Sequence, residues 1–262
     1  MITKRSFLTA ACAALSFAIA APVAQADTLS DITAAGVIRI AVPQDFPPFG
    51  SVGTDMKPQG YDIDMANLIA DKMGVKLQMV PVTSANRIPY LQTDKVDLVI
   101  SSMGKNPERE KAIDFSEAYA PFYNGVFAPA DVKIADVADL SGKTIGVTRG
   151  AIEDLELSKI APKDATIKRY EDNAGTISAF LSDQVDAIAT GNVVAASIIA
   201  RNPPRKPEMK FLIKNSPCYV GMNKNEPALM AKVNEIIAGA KTDGALDQIS
   251  EKWLGMKLPA KM

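Results

Sequence analysis

Arginine is the side chain in this sequence best equipped to hold an anion. Three arginines stand beside residues that start helices or open turns. Arg87 lies in Ser84-Ala85-Asn86-Arg87-Ile88-Pro89, Arg109 follows Asn106-Pro107-Glu108, and Arg149 precedes Gly150-Ala151-Ile152. A guanidinium presents two parallel donors to a carboxylate and stays charged. Asn106-Pro107-Glu108 reads as a helix start, with a capping residue, a proline in the first turn and then an acid. Arg109 therefore falls in a first turn, where free N–H groups and the helix dipole favour anions. Gly150 would let the backbone approach an anion closely. Read without further context, Arg109 is first a solvated charge in Glu108-Arg109-Glu110-Lys111, and the plain alternative for Arg87 is a surface helix start.

Composition excludes other chemistries. The 262 residues contain no histidine, which removes Ser-His-Asp hydrolysis, His-ligated zinc and His general-base catalysis. No cofactor is expected. The formal charge is −1 and no basic stripe is present, so nucleic acid is not an expected partner. Lys4 and Arg5 precede an apolar run from Phe7 to Ala21, closed by Ala24-Gln25-Ala26. The run is shorter than the roughly 20 residues a membrane helix needs. A charged start, a short apolar middle and a small-residue end read as a secretory signal cleaved near Ala26. Removing Lys4 and Arg5 with it takes the formal charge from −1 to −3. Cys12 lies inside this leader. Cys218 then stands alone, so the mature chain is not a disulfide scaffold.

The rest of the chain alternates strand-like and helix-like stretches. Strands are expected at Val37 to Val42, Lys76 to Val82, Val96 to Ser101, Thr144 to Val147, Thr166 to Tyr170, Val185 to Thr190, Phe211 to Ile213 and Tyr219 to Met222. Helices are expected at Ile63 to Met73, Ala151 to Lys159, Asn173 to Leu181, Asn192 to Ala200 and Pro227 to Ala240. The alternation predicts an α/β fold with parallel sheets covered by helices. An acidic motif before an apolar strand occurs twice, at Val96-Asp97-Leu98 and at Val185-Asp186-Ala187. Two similar lobes follow, joined by short crossings near Tyr123 to Ala130 and Asn215 to Asn223. Lobe one is expected to hold 27–126 and 218–262, and lobe two 127–217. A ligand site belongs between them, at strand C-termini.

Four segments carry a resemblance. They are Phe46-Pro47-Pro48-Phe49, Gly60-Tyr61-Asp62-Ile63-Asp64, the stretch from Lys95-Val96-Asp97 through Pro107-Glu108-Arg109 to Asp114-Phe115-Ser116, and Leu140-Ser141-Gly142-Lys143-Thr144-Ile145-Gly146-Val147. In this order the chain resembles the amino-acid-binding proteins of bacterial ABC importers, the polar amino-acid group with the type II periplasmic-binding fold. The resemblance implies two lobes closing on one solute by a hinge motion. It implies a periplasmic monomer that delivers a small carboxylate-bearing solute to an ABC permease, docking only peripherally at the membrane.

The same resemblance implies site residues. Arg109 would clamp the ligand's α-carboxylate, and Phe46 would pack over the ligand or else plug lobe one beside Phe49. Ser101, Ser102 and Gly104 would meet the ligand at a strand end. Ser84 and Arg87 look like the acidic-amino-acid binders, in which an arginine here reaches a side-chain carboxylate. Arg149, Gly150, Ala151 and Ile152 would offer backbone N–H groups. Asp62 and Asp64 read as helix-start caps outside the site. Three departures stand out. Relatives often carry Ser-Ile-Thr where this chain has Gly104-Lys105-Asn106, and a threonine where it has Ala151-Ile152. They also carry an acid that pairs with the α-ammonium where it has Gly191-Asn192. A buried ammonium without a partner is costly. Either Asp45, Glu153 or another acid substitutes, or the ligand is no ordinary α-amino acid. The favoured cargo is an acidic amino acid or a related dicarboxylate. The competing readings are a cyclohexadienyl-dehydratase-like enzyme on the same scaffold, a ligand sensor, and a binder of another polar solute such as an opine or a cationic amino acid.

Overall fold

The computed structural model describes residues 27–260, and the expected leader with its cleavage point lies outside the described residues. The chain begins with α1 (Thr28–Ala35) and β1 (Val37–Val42). A small three-stranded sheet follows, made of β2 (Asp45–Phe46), β3 (Gly50–Val52) and β4 (Pro58–Gln59). Then come α2 (Tyr61–Met73), β5 (Lys76–Pro81), α3 (Arg87–Gln92), β6 (Leu98–Met103), α4 (Pro107–Ala112) and β7 (Asp114–Ala120). The middle of the chain supplies β8 (Tyr123–Ala128), β9 (Thr144–Thr148), α5 (Ile152–Ile160), β10 (Thr166–Tyr170), α6 (Asn173–Leu181), β11 (Ala187–Gly191), α7 (Asn192–Ala200) and β12 (Glu208–Asn215). The chain then returns through β13 (Cys218–Met222), α8 (Pro227–Thr242) and α9 (Ala245–Leu254).

Two five-stranded sheets result, ordered β5-β1-β6-β13-β7 and β10-β9-β11-β8-β12. In each sheet four strands run one way and a single strand runs against them. β1 runs parallel to β5 and β6, but β13 is antiparallel to β6 and β7. Likewise β9 is parallel to β10 and β11, while β8 is antiparallel to β11 and β12. The antiparallel strands are those that carry the chain between lobes. The first crossing falls at Pro121 and Phe122, earlier than the expected 126/127 boundary, because Tyr123–Ala128 already pairs in the second sheet. The return falls at Ser216 and Pro217. The crossings are tied together, since the Ser216 N–H donates to the Phe122 carbonyl at 3.0 Å.

Both faces of each sheet are covered, which is why strands such as Val37-Ile38-Arg39-Ile40-Ala41-Val42 read as nearly continuous apolar runs. Ile38, Ile40 and Val42 pack with Met65 and Ile69 of α2 on one side. Ala41 and Val99 face Leu91 and Ile113 on the other. In lobe two, Ile145, Val147 and Ala189 sit with Leu157 of α5, and Ile188 meets Phe180 of α6 and Val194 of α7. Helix α8 buries Leu229, Val233, Ile236 and Ile237 on one stripe, each worth about 1.5–3 kcal/mol of transfer energy. Among the described residues, no helix is long and apolar enough to cross a membrane.

Candidate functional site

The C-terminal ends of β1 and β6, the small sheet and the first turns of α5 and α6 converge between the lobes. They line a narrow cavity of about 20 Å³. Its lobe-one wall holds Pro43, Asp45, Phe46, Val82, Ser84, Arg87, Ser101, Ser102 and Arg109. Phe122 stands at the crossing, and lobe two contributes Ala151, Ile152, Glu153 and Asn173.

Arg109 is almost fully buried, at 4% exposure. Asn106 caps α4 by accepting the Arg109 N–H at 2.9 Å, which orients the first turn. The Arg109 guanidinium donates to the Gly104 carbonyl at 2.5 Å and, across the cleft, to the Gly150 carbonyl at 2.9 Å. Burial, then the neighbouring Arg87 charge, pushes its pKa down to about 9, so it remains a cation at neutral pH. Arg87 is 5% exposed. It donates through Nη1 to the Ser101 carbonyl at 2.7 Å, through Nε to the Ser84 carbonyl at 3.3 Å, and through Nη2 to Ser84 Oγ. Burial lowers its pKa, and the Glu153 and Asp62 charges oppose that. A guanidinium carries five N–H donors. The contacts named leave donors on both arginines.

Asp62 is fully buried and braces this wall rather than capping α2. The cap position is Gly60, with no side-chain bond. Asp62 accepts from the Tyr119 hydroxyl and from the Ser102 N–H, both at 2.6 Å. Ser102 is held with a positive φ of 41° at the end of β6. Burial raises the Asp62 pKa to about 7, against those two hydrogen bonds and the Arg87 charge. Asp64 also turns away from the helix start, accepting from Trp253 Nε1 and Lys252 Nζ at 2.7 Å each.

An aromatic stack floors the cavity. Phe46 lies 6.0 Å from Phe49 and 6.2 Å from Phe122, and Phe49 lies 5.5 Å from Phe122. Phe46 thus both lines the cavity and plugs lobe one. Glu153, in the first turn of α5, is 3% exposed. Burial raises its pKa to about 7, while its own backbone N–H and the Arg87 and Arg109 charges pull the other way. Asp45 of lobe one reaches across the cleft and caps α6 of lobe two. It accepts from the Asn173 N–H at 2.7 Å and the Ala174 N–H at 3.2 Å. Two further cross-cleft contacts join the α4 and α5 ends: Asn106 Nδ2 donates to Glu156 at 2.8 Å, and Lys159 Nζ to Glu108 at 3.2 Å.

Of the residues singled out in sequence, Ser84, Arg87, Ser101, Ser102, Arg109, Phe46, Ala151 and Ile152 line the cavity. Five do not. Gly104 contributes its carbonyl to Arg109, not a surface to the cavity. Arg149 is half exposed and pairs with Glu171 at 2.8 Å. The Gly150 N–H is already given to Asp154 Oδ2 at 2.9 Å, and the Ala151 N–H to the Thr148 carbonyl at 3.1 Å. Gly150 matters as a close approach: it has φ +71°, and a Cβ there would lie 3.1 Å from Ala85 Cα. Gly191 sits under Phe122, where a Cβ would fall 1.9 Å from the ring. Asn192 accepts the Tyr123 N–H at 3.1 Å, beside the crossing. Phe122 and Asn173 had no local signal in the sequence, because their roles come from partners far along the chain.

Residues 38–256 match the family described as bacterial extracellular solute-binding proteins, family 3. The chain is similar to the ABC transporter glutamine-binding protein GlnH of Bacillus subtilis (strain 168), at 30% identity over 87% of this chain and 85% of that protein. It is also similar to the glutamate/aspartate import solute-binding protein of Escherichia coli (strain K12), at 27% identity over 96% and 90%. Among solved structures it resembles the ancestral amino acid-binding protein AncCDT-1, described as a precursor of cyclohexadienyl dehydratase. The TM-score is 0.77 and the identity 31%, over 87% of this chain and 99% of that one.

Proposed function

Because this chain belongs to the bacterial extracellular solute-binding proteins, family 3, we propose that it captures a small acidic amino acid between its lobes in the periplasm and delivers it to an ABC permease. One observation carries the choice of cargo. Two buried guanidinium groups, Arg87 and Arg109, and one buried carboxyl, Glu153, face a single cavity. Asp45 lines it too, but its carboxylate is engaged by the α6 N-terminus. The charge complement of two cations and one anion is a molecule with two carboxylates and one ammonium. Arg109 takes the α-carboxylate, Arg87 the side-chain carboxylate, and Phe46 and Phe122 cover the methylenes. Desolvated charges need partners, and such a ligand supplies one for each.

The test is thermal shift on the unfolded-and-refolded protein, against L-glutamate, L-aspartate, L-glutamine and L-arginine. At about 100 times its dissociation constant, a ligand adds roughly 2.7 kcal/mol. A shift with glutamate or aspartate that is lost in Arg109→Met is the expected result. A shift with L-arginine alone, or one that survives both Arg87→Met and Arg109→Met, overturns the acidic cargo.

A second reading, an enzyme on the same scaffold, draws support from Glu153. A carboxylic acid with a pKa of about 7 in an enclosed site suits general-acid work. Recovery of every bound candidate chemically unchanged after long incubation would remove that reading.

A further inference from the structure

The Glu153 side chain is 3% exposed, borders the cavity, and among the described residues accepts no hydrogen bond from another side chain. The nearest charges with the opposite sign are Arg87 and Arg109, yet Arg87 donates to Ser84 and Ser101, and Arg109 to Gly104 and Gly150. Glu153 is therefore a buried acceptor facing the ligand's space. At the end of β11 the side-chain space of Gly191 is filled by the Phe122 ring, so no acid can stand there.

We propose, resting on the acidic-amino-acid reading above, that Glu153 selects ligands carrying an ammonium group and admits an anion without one only by taking up a proton. A buried carboxylate facing a third carboxylate would be an unpaired like charge. A buried carboxylate facing an ammonium completes a pair. Protonation resolves the first case, because a neutral carboxyl donates a hydrogen bond to the incoming anion. No covalent step is involved; one proton comes from solvent.

The other charged groups around Glu153 are spoken for. Asp154, next on α5, accepts from the Gly150 N–H and from Arg169. Glu156, one turn on, accepts from Asn106 and Lys159, and Lys214 of β12 lies 3.8 Å from it. Asp62 of α2 stands behind Arg87, bonded to Tyr119 and Ser102. Asp45 of β2 caps α6. Asp62 is also raised to about 7, but it lies behind Arg87 and does not line the cavity, so it shifts both ligands' profiles in the same sense; a difference between the two profiles belongs to Glu153. Burial holds its pKa near 7, within reach of ordinary assays.

The sign of the linkage differs between two ligand types. L-Glutamate needs Glu153 ionised, so its affinity rises from pH 6 to about 7 and then levels. Glutarate, the same molecule without the amino group, needs Glu153 protonated. Its affinity is level below about 7 and falls about tenfold per pH unit above.

Calorimetric titration of the refolded wild-type protein with L-glutamate and with glutarate, from pH 6 to 8.5, tests this directly. Titration in buffers of different ionisation enthalpy counts the protons. The expected result is uptake of close to one proton per glutarate at pH 8, none per glutamate, and pH profiles of opposite slope. In Glu153→Gln the opposition between the two profiles vanishes and glutamate at pH 8 weakens at least tenfold, while Glu153→Asp keeps the opposed slopes. Parallel wild-type profiles, or glutamate binding at pH 8 that Glu153→Gln leaves unchanged, overturn the role of Glu153 and leave the arginine reading standing. A wild-type protein that binds neither glutamate nor aspartate overturns that reading and this one together.

Discussion

Replacing Asp45 by alanine removes a contact that exists only when the lobes are together. Asp45 sits on β2 of lobe one, and its Oδ2 accepts the Asn173 N–H at 2.7 Å and the Ala174 N–H at 3.2 Å, at the start of α6 in lobe two. These are unsatisfied first-turn donors of a helix. A hydrogen bond to a charged group is worth about 1.5–3 kcal/mol net when sheltered. Asp45 is only partly buried and Ala174 is exposed, so about 1–2 kcal/mol for the pair is the figure to carry forward. In the separated lobes, water takes over both partners. The loss therefore falls on closure, and apparent affinity drops with the closed fraction, about 5- to 30-fold. The loss should appear in the dissociation rate, measured by stopped-flow fluorescence. Small-angle scattering of Asp45→Ala should show a larger radius of gyration than wild type. Asp45→Asn keeps one acceptor oxygen and should fall between. The factor should be equal for L-glutamate and glutarate. A change below twofold, or a loss confined to the ammonium-bearing ligand, would refute the latch; the second outcome would make Asp45 a direct ligand contact.

Two further outcomes follow from packing. Gly191→Ala places a Cβ 1.9 Å from the Phe122 ring. Overpacking of this kind costs about 1–3 kcal/mol, roughly 2–12 °C in Tm for a chain of this size, and Phe122→Leu in the same molecule should recover most of it by differential scanning calorimetry. Cys218 is fully buried, and burial raises its thiol well above the ordinary range. Native protein should resist iodoacetamide and react only once unfolded, by mass spectrometry; labelling under native conditions would mean that this part of β13 opens.

Elements governed by local rules were legible in the sequence. Val37–Val42, Thr166–Tyr170, Asn173–Leu181 and Asn192–Ala200 form where apolar pattern and caps put them. Asp172 and Asn106 cap α6 and α4 through their own side chains, three residues from the N–H they accept. Strand direction was less legible, because no residue of Tyr123–Ala128 says which sheet it joins. That depends on Cα partners such as Ile188 and Glu208, far along the chain. Helix α9 was overlooked although Leu246, Ile249 and Trp253 mark its packed face. In the site, motif order pointed to Arg87 and Arg109, and both line the cavity. The Asp45 cap of α6 spans 128 residues, and no local pattern encodes it. Asp62 was misread for the same reason, since its partners Tyr119 and Ser102 lie 57 and 40 residues away.

The glycine at 191 and the buried acid at Glu153 belong to one arrangement. Phe122 at the interlobe crossing occupies the space beside Gly191 and joins the stack with Phe46 and Phe49. An aspartate at 191 would collide with that ring, so an aromatic floor and an acid on β11 exclude each other here. An acid on the first turn of α5 avoids the collision. It also faces the two guanidinium groups from the opposite lobe, where closure brings them together. In the separated lobes each of these charges has water. In the closed form each needs a partner, and burial already shows its cost in the lowered pKa of Arg87 and Arg109 and the raised pKa of Glu153. Charge that is costly to bury alone becomes selective when one ligand can neutralise all of it at once. On that logic, affinity and closure are the same event: a solute that leaves one of the three groups unpaired loses both.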